Sequence, residues 1–214
     1  MLAFLGGTGP EGRGLALRLA MAGHEVLIGS RDPAKAQDAA RRIKAKVPQA
    51  RVTGVDNSAA ASQGEVVFVT VPYSAQKPLL SQLGPQLEGK LVVDVVAPVE
   101  FVGGKIRAVS VEEGSAALEA ARLLPRSTVV AAFQNISASD LLVPDRAVEG
   151  DVVVCGDDAQ AKRRVMEMTP LIKNLRAVDG GGLENARYVE DLTALLMNIN
   201  KLYKCHSMIK IVGV

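Results

Sequence analysis

The chain has 214 residues and a formal net charge of +2, with 48% hydrophobic and 22% charged residues. These values are typical of a globular protein with one domain, or with one domain and an extension. Aromatic residues make up only 3% and Trp is absent, which argues against a nucleic-acid partner, because such partners require aromatic stacking or a large positive charge. No apolar run approaches the ~20 residues of a membrane span, so no membrane partner is expected.

Strands and helices alternate along the first half of the chain. We predict strands over residues 2–5, 25–30, 51–54, 65–71 and 90–95. We predict helices over residues 12–22, 33–44 and 74–82. The second helix has a strong start signal, because Asp32 can cap its N-terminus and Pro33 suits its first position.

The second half continues less regularly. Residues 97–113 are predicted to be irregular, residues 115–124 and 159–172 helical, and residues 128–133, 151–155 and 176–178 extended. Residues 183–211 are predicted to be largely helical. Alternation of this kind predicts an α/β fold of the Rossmann type, a doubly wound and mainly parallel sheet with helices on both faces. We expect the second half to continue this sheet, so that residues 1–180 form one Rossmann domain. Residues 181–214 are expected to form a small C-terminal helical extension.

The strongest motif is Gly7-Thr8-Gly9-Pro10-Glu11-Gly12, which lies between a predicted strand and a predicted helix. In this context G-x-G-x-x-G indicates a dinucleotide site. Gly7 permits the tight turn, Gly9 lets a pyrophosphate approach the backbone, and Gly12 lets helix and strand pack closely. The alternative is a purely structural glycine-rich turn.

The end of the second strand indicates which nucleotide binds. NAD-specific proteins usually place an acid there, whereas this strand ends in Ser30 and Arg31, with Lys35 in the next helix. Between residues 31 and 51 the local net charge is +5. Since an Arg fork suits a 2′-phosphate, we predict NADP(H), and we interpret Asp32 as a helix cap.

A nicotinamide would lie beyond the carboxyl ends of the strands. Three segments there complete the candidate cofactor-binding set: Thr70-Val71-Pro72, Ala97-Pro98, and Gln134, Asn135 and Ser137. None of them supplies a nucleophile or an obvious proton donor, and Tyr73 is interpreted as packing. Thr70 and Gln134 are candidate positioning groups, and such a pocket favours direct hydride transfer between stacked rings.

Several motifs resemble the NADP-dependent reductases of the 8-hydroxy-5-deazaflavin coenzyme, coenzyme F-420. They are Gly6-Gly7-Thr8-Gly9, Gly29-Ser30-Arg31, Cys155-Gly156-Asp157-Asp158 and Leu183-Glu184-Asn185-Ala186-Arg187. The resemblance spans nearly the whole chain and implies a homodimer that moves hydride between NADP(H) and the deazaflavin. It also implies that residues 70–72 border the nicotinamide, and that residues 134–137 with Leu196 and Met197 border the deazaflavin. Archaeal members tend to have His where this chain has Gln134, and Gln can donate a hydrogen bond but cannot carry a proton.

Two alternatives remain open: an NADPH-dependent reductase of a small imine or carbonyl compound, and a non-enzymatic NADP(H) sensor. The first requires a proton donor near Thr70–Tyr73 or Gln134. The two cysteines, Cys155 and Cys205, are expected to be reduced thiols of a cytoplasmic protein, each buried by packing. With only two His residues in the chain, no metal site is expected.

Overall fold

The computed structural model describes residues 1–214 and contains ten strands and eight α-helices. The strands are β1 (Leu2–Leu5), β2 (Val26–Ser30), β3 (Val52–Asp56), β4 (Val66–Val69), β5 (Leu91–Asp94), β6 (Val99–Val102), β7 (Lys105–Ala108), β8 (Thr128–Ala131), β9 (Gly150–Val154) and β10 (Leu175–Asp179). The helices are α1 (Pro10–Met21), α2 (Pro33–Lys46), α3 (Asn57–Gln63), α4 (Tyr73–Leu87), α5 (Ala116–Leu123), α6 (Ala138–Leu141), α7 (Ala159–Met168) and α8 (Ala186–Tyr203).

Six parallel strands form the central sheet in the order β3-β2-β1-β4-β5-β8. The sheet has a hydrophobic core on each of its two faces. Successive side chains of a strand point to opposite faces, so alternate residues pack into different cores. Phe4 and Phe68 stack at a centroid distance of 4.6 Å in the core beneath α1, α2 and α7. Leu5 and Val69 pack against α3, α4 and α5. The predicted doubly wound sheet with helices on both faces is therefore confirmed.

Local signals place the helix starts well. The Asp32 side chain accepts hydrogen bonds from the backbone N–H groups of Ala34 and Lys35, at 3.0 and 3.4 Å, which confirms its capping role. The short helix α3 was absent from the sequence prediction, although Asp56 caps it by accepting from Ala59 N at 2.8 Å. Helix α4 extends beyond its predicted end and contains Pro78 and Pro85.

Residues 97–113, predicted to be irregular, contain an antiparallel hairpin of β6 and β7. Gly103 and Gly104 connect the two strands with φ values of 56° and 74°. Two consecutive positive φ values are the geometry of a two-residue hairpin turn that matches strand twist. Asn198 of α8 holds the hairpin, since it accepts from Ile106 N at 3.3 Å and donates to Ile106 O at 2.7 Å.

The expectation that the second half continues the main sheet holds for β8 but is wrong for β9 and β10. Strands β9 and β10 form a separate parallel pair, which meets the central sheet only through an antiparallel bridge between Ala131 and Cys155. All five residues of β9 pair with β10, and only Cys155, the residue that follows β9, bridges to the end of β8. Its side chains Val152 and Val154 nevertheless enter the same core as Phe4.

The C-terminal extension is also shorter as a helix than predicted. Helix α8 ends at Tyr203, where Lys204 adopts a left-handed conformation (φ 51°). The chain then returns to β9, where Asp151 N donates to Ile209 O at 2.9 Å. No helix is long and apolar enough to cross a membrane.

The two cysteines differ. Cys155 is a free, buried thiol within the core under α4 and α5, as expected. Burial raises its pKa to about 11, so it is an unreactive packing residue. Cys205 is free but exposed, and the packing prediction is wrong for it.

Candidate active site

The glycine-rich loop connects β1 to α1 at the carboxyl edge of the sheet. Gly7 N donates to Phe4 O and to Gly29 O, both at 3.1 Å, so the turn is tied to two neighbouring strands. Gly12 is buried, and a Cβ there would collide with Thr70 Oγ1 and lie 2.8 Å from Gly7 Cα. The third glycine therefore serves close packing, as the motif predicts.

The loop leaves hydrogen-bond donors unused at the start of α1. The backbone N–H groups of Thr8, Glu11 and Gly12 donate to no acceptor in the protein, and Pro10 has no N–H. Free N–H groups and the partial positive charge of a helix N-terminus favour an anion, phosphate in particular. The predicted phosphate loop thus has the chemistry that a pyrophosphate requires.

A basic corner follows β2. Arg31 and Lys35 are exposed, and neither forms an ion pair within the protein. Ser30 is buried and its Oγ accepts from Asp32 N at 3.1 Å. The Asp32 carboxylate caps α2 and forms no ion pair with either cation, so both remain available to a phosphate.

The loop and the basic corner share one cavity of about 1120 Å³. The predicted site residues that line it are Thr8, Gly9, Ser30, Arg31, Lys35, Thr70, Val71 and Pro72. Most of the remaining wall was not predicted from the sequence; it consists of Asp56, Asn57 and Ser58 at the start of α3 and of Ser74, Ala75, Pro78, Leu79, Gln82 and Leu83 of α4. The capping pattern of Asp56 could have located α3, whereas the α4 wall depends on tertiary packing.

Glu11, one of the predicted cofactor-binding residues, has an unusual environment. Its Oε1 is buried without a hydrogen-bond partner, and burial raises the pKa of this carboxyl to about 8. At neutral pH the side chain is therefore mostly uncharged. A neutral Glu11 does not repel a pyrophosphate at the loop.

Thr70 directly follows β4 and lies beside the loop. Its hydroxyl donates to Leu5 O at 2.9 Å, so it is held by the main chain of β1 and does not serve as a free donor. Tyr73 is half-buried and packs against the core under α4, as interpreted from the sequence. Burial, followed by the charges of Glu119 and Glu113, raises the pKa of Tyr73, so its hydroxyl stays protonated.

Gln134 and Asn135 follow β8, outside the cavity, and both are buried. Gln134 Nε2 donates to Asp94 O at 3.1 Å, and Asn135 Nδ2 donates to Asp151 O at 2.8 Å. Neither carboxamide oxygen has a hydrogen-bond partner. The unused groups at this edge are therefore acceptors, in contrast to the donor role expected of Gln134.

Asp94 adds another polar atom without a partner beside Gln134. It ends β5 fully buried; Oδ1 accepts from Val96 N at 2.9 Å, while Oδ2 has no partner. Burial first, and the charge of Glu190 second, raise the pKa of Asp94 well above its usual range. Unsatisfied polar atoms of this kind are uncommon in a protein interior.

The other predicted residues lie around this second region. Ala97 and Pro98 connect β5 to the hairpin, and Ser137 caps α6 by accepting from Asp140 N at 3.3 Å. Leu196 is buried and Met197 half-buried on α8, which approaches the region through a hydrogen bond from Thr193 Oγ1 to Gln134 O (3.0 Å). The structure thus brings eight of the predicted NADP(H) residues to one cavity and leaves the predicted deazaflavin residues outside it.

Comparison with known proteins adds independent information. A family model described as "NADP oxidoreductase coenzyme F420-dependent" matches residues 1–98. The chain is 43% identical over 205 residues to the F420-dependent NADP reductase of Methanothermobacter marburgensis, covering 93% of this chain and 92% of that protein. It is 39% identical over 209 residues to the protein of the same name from Methanocaldococcus jannaschii, covering 95% and 93%.

The fold is also similar to a solved structure from Arthrobacter sp. FB24, whose description names an F420-dependent NADP reductase. The TM-score is 0.84 at 28% identity, and the match covers 99% of this chain and 98% of that chain. The similarity therefore extends through both the cavity region and the C-terminal helix.

Proposed function

The chain belongs to the family of F420-dependent NADP reductases, and from this premise we propose that it transfers a hydride directly between NADP(H) and coenzyme F-420. The observation that carries the proposal is the single cavity that joins the phosphate loop to Arg31 and Lys35. Free backbone N–H groups suit the pyrophosphate, and unpaired cations suit a 2′-phosphate. The two coenzymes would supply the redox chemistry.

The residues of the chain bind and orient the two rings. Thr70, Val71 and Pro72 line the end of the cavity beyond β4 and border the nicotinamide. Gln134 and Asn135 carry unpartnered acceptor oxygens beyond β8, where a deazaflavin would lie, and Leu196 and Met197 supply aliphatic contact. No side chain is assigned a covalent role, because hydride transfer requires orientation and exclusion of water.

We propose two functional parts, an NADP-binding Rossmann domain over residues 1–180 and a helical extension over 181–214 that closes the site. Two hydrogen bonds made by α8 support the proposal that the extension closes the site. Thr193 of α8 reaches Gln134 beyond β8, and Asn198 holds the hairpin that follows Pro98. The extension therefore contacts both segments that flank the proposed deazaflavin position.

A spectroscopic assay tests the activity. Protein mixed with NADPH and oxidised F-420 should remove the visible absorbance of the oxidised coenzyme, and NADH should be a much poorer donor. Pyrroline and simple carbonyl compounds serve as control substrates. Consumption of NADPH with these compounds but none with F-420 would contradict the proposal.

We also propose that the protein is a cytoplasmic homodimer. Large apolar side chains stay exposed on the hairpin and α8, namely Phe101, Leu195, Leu202 and Tyr203, and exposed apolar patches often mark interfaces. Two free cysteines fit a reducing compartment. Sedimentation analysis should give twice the chain mass, and Phe101→Asp should shift the protein towards monomer; a monomeric wild type would refute the dimer.

A further inference from the structure

Asn57 is a cavity residue for which neither the motifs nor the comparisons indicate a role. It is the first residue of α3, directly after β3, and only 8% of its surface is exposed. A polar side chain this buried normally makes a specific hydrogen bond. Its position also brings α3 against the glycine-rich loop.

The Asn57 carboxamide contacts the first turn of that loop. Gly6 N donates to Asn57 Oδ1 at 3.1 Å, and Gly6 has a φ of +70°, which side-chain-bearing residues rarely adopt. Because the Gly6 N–H must meet an acceptor, this contact fixes the orientation of the carboxamide. Asn57 Nδ2 makes no hydrogen bond within the protein.

The neighbouring strand is shaped around the same carboxamide. A Cβ at Gly29, in β2, would lie 2.7 Å from Asn57 Oδ1, and the carbonyl of Gly29 accepts from Gly7 N. Gly6 and Gly7 are thus tied to α3 and β2, respectively. The loop receives support from both sides at the point where it turns towards the cavity.

We propose that Asn57 is a positioning residue for the pyrophosphate: it holds Gly6 in its left-handed conformation and so fixes the loop whose free N–H groups, those of Thr8, Glu11 and Gly12, would bind the pyrophosphate. This inference rests on the proposed binding of NADP(H). It separates two parts of nucleotide binding. Asn57 acts on the pyrophosphate through the loop, whereas Arg31 acts on the 2′-phosphate.

Two ligands distinguish the contribution of the pyrophosphate from that of the 2′-phosphate. NADPH contains the pyrophosphate, whereas adenosine 2′-phosphate has only the adenosine and the 2′-phosphate. Calorimetric titration should show that Asn57→Ala raises the Kd for NADPH about fivefold, as expected for loss of one hydrogen bond, with the Kd for adenosine 2′-phosphate within about twofold of wild type. Arg31→Ala should weaken both ligands, and Gln63→Ala, an exposed change in the same helix, should weaken neither.

A merely structural role of Asn57 would weaken both ligands equally, and that result, or an unchanged Kd for NADPH, would overturn the proposal. Should Asn57→Ala fail to fold, Asn57→Ser has a hydroxyl too short to reach Gly6 and is expected to show the same selective loss. Selective loss in a protein that binds NADPH but does not reduce F-420 would support the role of Asn57 while refuting the proposed activity. A wild type that does not bind NADPH would overturn both.

Discussion

We propose that one residue, Arg31, accounts for most of the preference for NADP(H) over NAD(H). Its side chain is exposed in the cavity, and the nearby acid Asp32 is occupied as a helix cap. Arg31→Ala should therefore weaken NADPH binding by roughly 1.5–3 kcal/mol, the range for a charge-assisted hydrogen bond, and should change NADH binding little. Titration of both nucleotides measures the difference.

Arg41→Ala is the matched control for this experiment, because Arg41 is an exposed cation of α2 that pairs with Asp38 outside the cavity. Its effect on either nucleotide should be small. Equal losses for NADPH and NADH in Arg31→Ala would show that Arg31 does not recognise the 2′-phosphate.

Glu11 should make nucleotide binding dependent on pH. Burial raises its pKa to about 8, so the carboxyl is neutral below that pH and gains a negative charge above it. A charge beside the phosphate loop opposes the pyrophosphate, and NADPH affinity should therefore fall as pH rises through 8. Glu11→Gln removes the titrating group and should flatten this part of the profile between pH 7 and 9, as followed by NADPH fluorescence. An identical decline in both proteins would assign it to another group.

Helix α8 is joined to α5 by one buried carboxylate. Glu190 accepts from Ala116 N at 2.7 Å and from Ala117 N at 3.1 Å, two of the N–H groups at the start of α5 that have no partner within that helix. Glu190→Ala should lower the free energy of unfolding by roughly 2–3 kcal/mol, measured by urea denaturation at pH 5. Asp191→Ala, an exposed change in the same turn, should have little effect.

The cost of Glu190→Ala should also depend on pH. Burial outweighs the two N–H donors and raises the pKa of Glu190 to about 7. A carboxyl whose folded pKa exceeds its unfolded value binds its proton more tightly in the folded state, so its contribution to stability is fully present below about pH 4.5 and declines as pH rises to 7. The loss of stability should consequently be larger at pH 5 than at pH 8, and the reverse order would contradict the assignment.

Elements with local signals were predictable from the sequence. The start of α2 depends on Asp32 and Pro33, which are adjacent in the chain. The β6–β7 hairpin also has a local signal, the Gly103-Gly104 pair, but together with Pro98 this pair was interpreted as a sign of irregular structure. The pairing of β9 with β10 had no such signal, because strand partners are chosen by tertiary packing and not by the strand's own sequence.

At the scale of the whole molecule, the proposed NADP(H) site could be predicted from local sequence signals, whereas the surroundings of Gln134 could not. The phosphate loop and Arg31 each follow a strand of the central sheet, and the strand order of a doubly wound fold brings them to one crevice. The surroundings of Gln134 depend instead on Asp94, forty positions away, and on Thr193 of α8. Periodicity and motifs do not encode such contacts, so its free acceptor oxygen could not be predicted.

The β9–β10 pair is separate as a sheet but shares the core of the central sheet, and this sets the expected unfolding behaviour. Val152 and Val154 pack in the same cluster as Phe4, and Arg176 binds the buried Asp151 carboxylate at 2.9 and 2.7 Å. Because no solvated boundary divides the two sheets, calorimetry should record one cooperative transition whose calorimetric and van't Hoff enthalpies agree.

Arg176→Ala should lower the temperature of that single transition, because it leaves Asp151 buried without its cation. Arg176 holds the pKa of Asp151 below its usual value, so the difference from wild type should be present above pH 4 and should shrink as pH falls through the folded pKa of Asp151. Arg163→Ala, an exposed cation of α7 without an ion pair, is the control. Two resolved transitions, only one of them shifted by Arg176→Ala, would show that the β9–β10 unit folds independently of the nucleotide-binding sheet.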